Sequence, residues 1–272
     1  MTRTTAGDGT AVDHREHGDP RGRPVVLLAG FKAAAASWRY QVPALVESGH
    51  RVLAVDLPGH GTAAPLPSGV TMDRRALHLH AVLEELDLRD AVLVGGSLGG
   101  NTIWAYASQF GTDRVGSVVV VDQTPKMLNT ADWPHGFYGY DESNADTYFA
   151  ADVPATGHGT PLRRRGKRLV RLLRAMRGGG GGRALTPAEL ALLRDHAGRD
   201  WRTTIAGIDV PVLFVAGAES ELWPSSHAAA AAALAPRGTA AVVERAGHAT
   251  NVEQPNAFNH GLLRFLTAAS GR

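Results

Sequence analysis

The sequence predicts an α/β protein built on a doubly wound, mostly parallel sheet. Two observations predict it: short, continuous apolar runs recur along the chain, and helix-period segments fill the spaces between them. A third, a glycine-rich turn with a serine at its apex, marks where the chemistry of such a sheet would sit.

The runs occupy residues 25–28, 52–55, 91–94, 118–121 and 212–215, with a weaker one at 240–243. Unbroken apolar stretches of this length suit strands covered on both faces. Leu79, Val82, Leu83 and Leu86 follow the i, i+3, i+4, i+7 spacing of a surface helix, as Phe258, Leu262, Phe265 and Leu266 do near the C-terminus. In a sheet of this kind the active site is expected beyond the carboxyl ends of the strands.

The length of 272 residues suits one α/β domain over 1–272 with an insertion. A hydrophobic content of 44% is enough for a sizeable core. The formal charge of +2 argues against a general nucleic-acid binder. With no cysteine there can be no disulfide, thiolate nucleophile or cysteine-held zinc. The first residues carry no apolar signal-peptide core, and no run reaches the ~20 residues of a membrane span. The expectation is a soluble, cytoplasmic protein.

The strand–helix alternation breaks over about 124–206, the expected insertion. Trp133, Phe137, Tyr138, Tyr140, Tyr148 and Phe149 crowd its first part. A basic amphipathic helix is predicted next, with Leu162, Leu169, Leu173 and Met176 on one face. Arg163, Arg164, Arg165, Lys167, Arg168, Arg171 and Arg174 make up the rest, expected as a solvated face. The glycine run at 178–182 is expected to be a flexible joint.

Four motifs carry the chemistry. Gly95-Gly96-Ser97-Leu98-Gly99 follows the run at 91–94 and leads into a helix-like stretch, which places a serine hydroxyl at a helix N-terminus. Ala29-Gly30-Phe31 follows the first run, and Asp56-Leu57-Pro58-Gly59-His60-Gly61 ends the second. Gly247-His248 comes after the last run, with Glu253-Gln254-Pro255 just beyond. In this order the motifs resemble the α/β-hydrolase superfamily over nearly the whole chain, in its serine esterase and cofactor-free haloperoxidase branch. The resemblance implies an α/β-hydrolase fold with an inserted helical lid.

It also implies that Ser97 is the nucleophile of a nucleophile elbow and His248 its base, with residues 247–255 matching G-H-x-x-x-x-E-x-P. Relatives carry G-x-x-D-x-x-x-P after the fifth run, but here Ser220 takes the aspartate position between Gly217 and Pro224. The triad acid must come from elsewhere. Asp122, which ends the run at 118–121, is the expected acid, with Glu219 and Glu221 as alternatives. The backbone amides of Leu98 and Phe31 are the expected oxyanion donors, and the Phe31 ring is expected to line the pocket. Ala29 departs from the His-Gly-x of relatives. His60 is read as an organiser of a structural turn, and Lys32 as solvated.

The implied reaction is acyl transfer to water from a small-molecule carboxylic ester, lactone or thioester, with no metal or organic cofactor required. The alternatives on the same scaffold are an acyltransferase, a cyclase or a C–C bond hydrolase, and outside catalysis a small-molecule-binding protein. The insertion aromatics fit an apolar or ring-bearing substrate group or a satellite core. An acidic carrier protein or a coenzyme A thioester is the partner that the arginine-rich helix would favour.

Overall fold

The computed structural model describes residues 2–61, 63–175 and 184–270. The expected strands are present as β3 (Pro24–Leu28), β4 (Arg51–Asp56), β5 (Ala91–Gly96), β6 (Val115–Val121), β7 (Val212–Gly217) and β8 (Gly238–Val243). They are preceded by β1 (Thr2–Thr5) and β2 (Ala11–His17), which carry too few apolar residues to stand out as runs. All eight form one sheet in the order β1-β2-β4-β3-β5-β6-β7-β8. Pairing is antiparallel from β1 to β2 and from β2 to β4, and parallel from there to β8. This is the α/β-hydrolase fold the motifs implied.

Nine α-helices accompany the sheet among the described residues: α1 (Gln41–Glu47), α2 (Met72–Glu85), α3 (Leu98–Phe110), α4 (Lys167–Ala175), α5 (Pro187–Gly198), α6 (Arg202–Ala206), α7 (Ser226–Ala232), α8 (Thr250–Glu253) and α9 (Pro255–Ser270). Successive strand side chains point to opposite faces, so each apolar run feeds two cores. Val26, Leu28, Leu53, Leu93, Val118 and Phe214 pack beneath α2, α3 and α7. Val25, Leu27, Val52, Val92, Val119 and Leu213 meet Leu45 of α1 and Phe258, Leu262 and Leu266 of α9. An alternating run would have left one face wet; the continuous runs allow both to be covered.

Between β6 and β7 lies an inserted segment bearing α4, α5 and α6, as expected. Its aromatics build a third core, where Met127, Phe137, Tyr140 and Phe149 pack with Leu193, Ala197 and Trp223. Helix α5 begins on a capping box, with Thr186 accepting from the Glu189 amide and Glu189 accepting from the Thr186 amide.

The basic segment departs from the expected solvated face in part: Arg163, Arg164, Lys167 and Arg174 are exposed, but others are not. Arg165 and Arg168 are buried, whereas Leu162 and Leu173 are each 58% exposed. Arg165 pairs with Glu221 and, at 2.9 Å, with Glu253. Arg168 reaches Glu219 at 2.8 Å, and Arg171 donates to the Glu253 carbonyl at 2.7 Å. Fully buried Glu253, with half-buried Glu219 and Glu221 beside it, outweighs the leucine stripe, because a buried carboxylate without a cation is costlier than an exposed leucine. Met176 and the glycine run at 178–182 lie outside the described residues.

Candidate active site

The parallel register puts Gly96, Val121 and Val215 side by side at the carboxyl ends of β5, β6 and β7. The residues that follow Gly96 and Val121, the last of β5 and β6, therefore emerge at one rim. Ser97 follows Gly96 at φ 50° and ψ −123°, and Asp122 follows Val121 at φ 46°. Both are L-residues held in the left-handed region, a conformation that persists where the surroundings over-determine it. The ladder supplies the restraint: the Ser97 amide donates to the Val121 carbonyl at 2.9 Å, and the Asp122 amide to that of Val215 at 2.6 Å.

The elbow is as crowded as the sequence implied. A Cβ on Gly95 would stand 2.4 Å from the Gly99 carbonyl carbon, and one on Gly99 would stand 2.4 Å from the Leu28 carbonyl oxygen. Strand, turn and helix can close this tightly only with glycine at both positions.

Asp122 is fully buried, and four groups surround its carboxylate. His248 Nδ1 lies 2.8 Å from Oδ2, and the Ser220 hydroxyl donates to the same oxygen at 2.6 Å. The Gly217 amide donates to Oδ1 at 2.8 Å. His227 Nε2 stands 3.6 Å from Oδ1, close enough for charge attraction but too far for a hydrogen bond. Burial alone would raise the Asp122 pKa; His227 and His248 reverse that and hold it at about 2. An ionised carboxylate only accepts, so His248 Nδ1 carries the proton and Nε2 is left bare.

Glu219 and Glu221 stand apart from the imidazole ring. Glu221 instead accepts from the His248 backbone amide at 2.7 Å while bound to Arg165. Glu219 takes Arg168 and the Thr160 hydroxyl.

Ser97 and His248 line the same pocket, of about 370 Å³, together with Gly30, Phe31, Trp38, Phe137, Phe149 and Trp223. Among the described residues no hydrogen bond joins the Ser97 hydroxyl to the ring, an arrangement common in unliganded sites that tighten around substrate. The Leu98 and Phe31 amides have no acceptor among the described residues. Leu98 opens α3 directly after Ser97, with its side chain in the core, while the Phe31 ring reaches the pocket wall.

The loop between β3 and the following turn is fixed from below. Asp56 Oδ1 accepts from the Ala35 amide at 2.7 Å. His60 is buried in the same turn; burial pushes its pKa far down, and Arg75 adds to the effect. Ser220, His227, Asn101 and His196 were not picked out as site residues from the sequence. Ser220 had a signal: it fills the motif slot where relatives carry an aspartate, and its hydroxyl donates to Asp122. His196, on a helix of the inserted segment, had none.

Residues 23–255 match the family described as alpha/beta hydrolase fold. The chain belongs to that family. Among alpha/beta hydrolases it is 30% identical to a non-heme chloroperoxidase of Streptomyces lividans, over 98% of this chain and 99% of that protein. It is 29% identical to a bifunctional esterase/perhydrolase of Acinetobacter calcoaceticus, over 82% of this chain and 84% of that protein. A bromoperoxidase from Bacillus anthracis superposes with a TM-score of 0.80 at 26% identity, covering 98% of this chain and all of that one. Among the described residues no helix is long and apolar enough to cross a membrane.

Proposed function

We propose that this alpha/beta hydrolase is a serine hydrolase that cleaves a carboxylic ester, lactone or thioester through an acyl-enzyme intermediate. The observation that carries the reading is the 2.8 Å contact between His248 Nδ1 and Asp122 Oδ2, in a pocket whose wall also holds Ser97. The buried carboxylate fixes the ring tautomer, so Nε2 faces the chemistry as a base.

Ser97 Oγ attacks the substrate carbonyl as His248 Nε2 takes its proton. The Leu98 and Phe31 amides hold the oxyanion, where one such donor typically contributes about 100-fold or more in rate. His248 returns the proton to the leaving oxygen or sulfur. Water, deprotonated by the same nitrogen, then opens the acyl-enzyme and regenerates Ser97. Phe137 and Phe149 give the inserted segment the role of a lid whose aromatic surface holds an apolar substrate group.

The relative named an esterase/perhydrolase favours a second outcome for the same intermediate. Hydrogen peroxide in place of water would attack the acyl carbon, and Ser97 would leave with a peracid as product. Titration of peracid during ester turnover in peroxide reads this directly.

The test is covalent labelling. A fluorophosphonate should modify Ser97 stoichiometrically, and Ser97→Ala should lose both labelling and ester turnover while keeping its circular dichroism spectrum. Retained turnover in Ser97→Ala would refute the nucleophile, and a folded wild type that resists labelling would favour a binding protein.

A further inference from the structure

Apart from Ser97 and His248, three polar side chains line the pocket: Ser37, Asn251, whose amide donates to the Ser37 carbonyl and to Gln41, and His196 on the inserted segment. His196, on α5 of the inserted segment, lines the pocket and is only 3% exposed. Asn101, one turn beyond Ser97 on α3 and 1% exposed, holds it: the amide Nδ2 lies 2.6 Å from His196 Nδ1. The Asn101 Oδ1 position is buried and meets no donor, so turning the amide over would strand both N–H groups there. Asn101 therefore donates, Nδ1 accepts, and a neutral ring carries its one proton on Nε2.

Nε2 has no partner in the protein, and it is absent from the sealed, unpartnered polar atoms. In a residue this buried, an accessible ring atom opens onto the pocket that the residue lines. The ring also stays uncharged: burial, with Arg75 and His248 nearby, pushes its pKa down to about 3. The pocket thus holds a fixed N–H donor set in apolar surroundings, where an unmet donor costs more than in water.

We infer that His196 forms a subsite for an uncharged hydrogen-bond acceptor of the substrate, a carbonyl, ether or hydroxyl oxygen separate from the reacting carbonyl. The inference rests on the serine hydrolase reading. It deepens that reading by naming a substrate class: mostly apolar esters with one neutral oxygen at a set distance from the scissile bond. A carboxylate is disfavoured, because its charge would be buried against a neutral donor.

The experiment is an oxygen scan. A set of p-nitrophenyl alkanoates, with one methylene at successive chain positions replaced by oxygen, is assayed on wild type, His196→Phe and His196→Gln. A matching ester with a terminal carboxylate completes the set. Dividing wild-type kcat/KM by that of His196→Phe cancels the intrinsic reactivity of each ester. That ratio should peak at one oxygen position by about fivefold, through KM, as one added hydrogen bond predicts. His196→Gln, which keeps a donor, should recover part of the peak. His196→Phe should still hydrolyse the all-carbon esters and take the fluorophosphonate on Ser97. A flat ratio across the scan, or a preference for the carboxylate ester, would overturn the subsite. Absence of Ser97 labelling in wild type would instead sink the hydrolase reading. Calorimetric binding of the matched non-reactive amides to wild type then decides the subsite, equal affinities counting against it.

Discussion

Two groups of carboxylates flank the His248 loop, and they are satisfied in opposite ways. Asp122 receives an amide, a hydroxyl and the imidazole, with no arginine or lysine on its oxygens. Glu219, Glu221 and Glu253 are matched by Arg165 and Arg168 from the inserted segment. A carboxylate already neutralised by guanidinium has little charge left to offer a nascent imidazolium. One that no guanidinium touches keeps more of its field for the ring. In the proposed mechanism this difference gives Asp122 the proton relay, while the glutamates and arginines clasp the inserted segment to the histidine loop.

The largest break in that comparison is Asp122→Asn. It should lower kcat by about 10⁴, since an amide at this place favours the wrong ring tautomer; steady-state ester hydrolysis reads it, and a loss under tenfold would return the role to the glutamates. Next comes Arg165→Met, which leaves Glu253 buried and short of a cation. Urea unfolding should show a loss of about 3 kcal/mol, as expected for breaking a buried pair, while kcat changes far less than in Asp122→Asn. Glu221→Gln keeps an oxygen for the His248 amide and should alter kcat by less than about tenfold.

The smallest effect is on acid stability. The Asp122 pKa is about 2 in the folded chain, against about 3.9 for an unperturbed aspartate. Its contribution is present above pH ~4 and lost as pH falls through 2. Wild type should therefore lose stability more steeply than Asp122→Asn between those values, as read by urea titrations at stepped pH.

The parts of this architecture that repeat or follow a motif were legible in the sequence. Buried parallel strands leave unbroken apolar runs, and the elbow leaves glycines where no Cβ fits, so β3 to β7 and Ser97 could be read directly. β1 and β2 escaped because Thr4, Asp13 and His14 are buried as polar residues in short strands. The arginines were misread because amphipathicity compares a helix with water alone. Arg165 and Arg168 turn inward for partners distant in sequence, Glu219 and Glu221 after β7 and Glu253 at the end of α8, which no local pattern reveals. Ser220 was legible as a missing acid but not as a donor to Asp122, and His196 depends wholly on the tertiary meeting of α5 with α3.

The most direct measurement is the far-downfield proton spectrum of the imidazole at low temperature. A strongly deshielded His248 Nδ1 proton should appear in wild type, persist in Glu221→Gln and vanish in Asp122→Asn. The same signal surviving in Asp122→Asn but lost in Glu221→Gln would contradict a proton relay through Asp122.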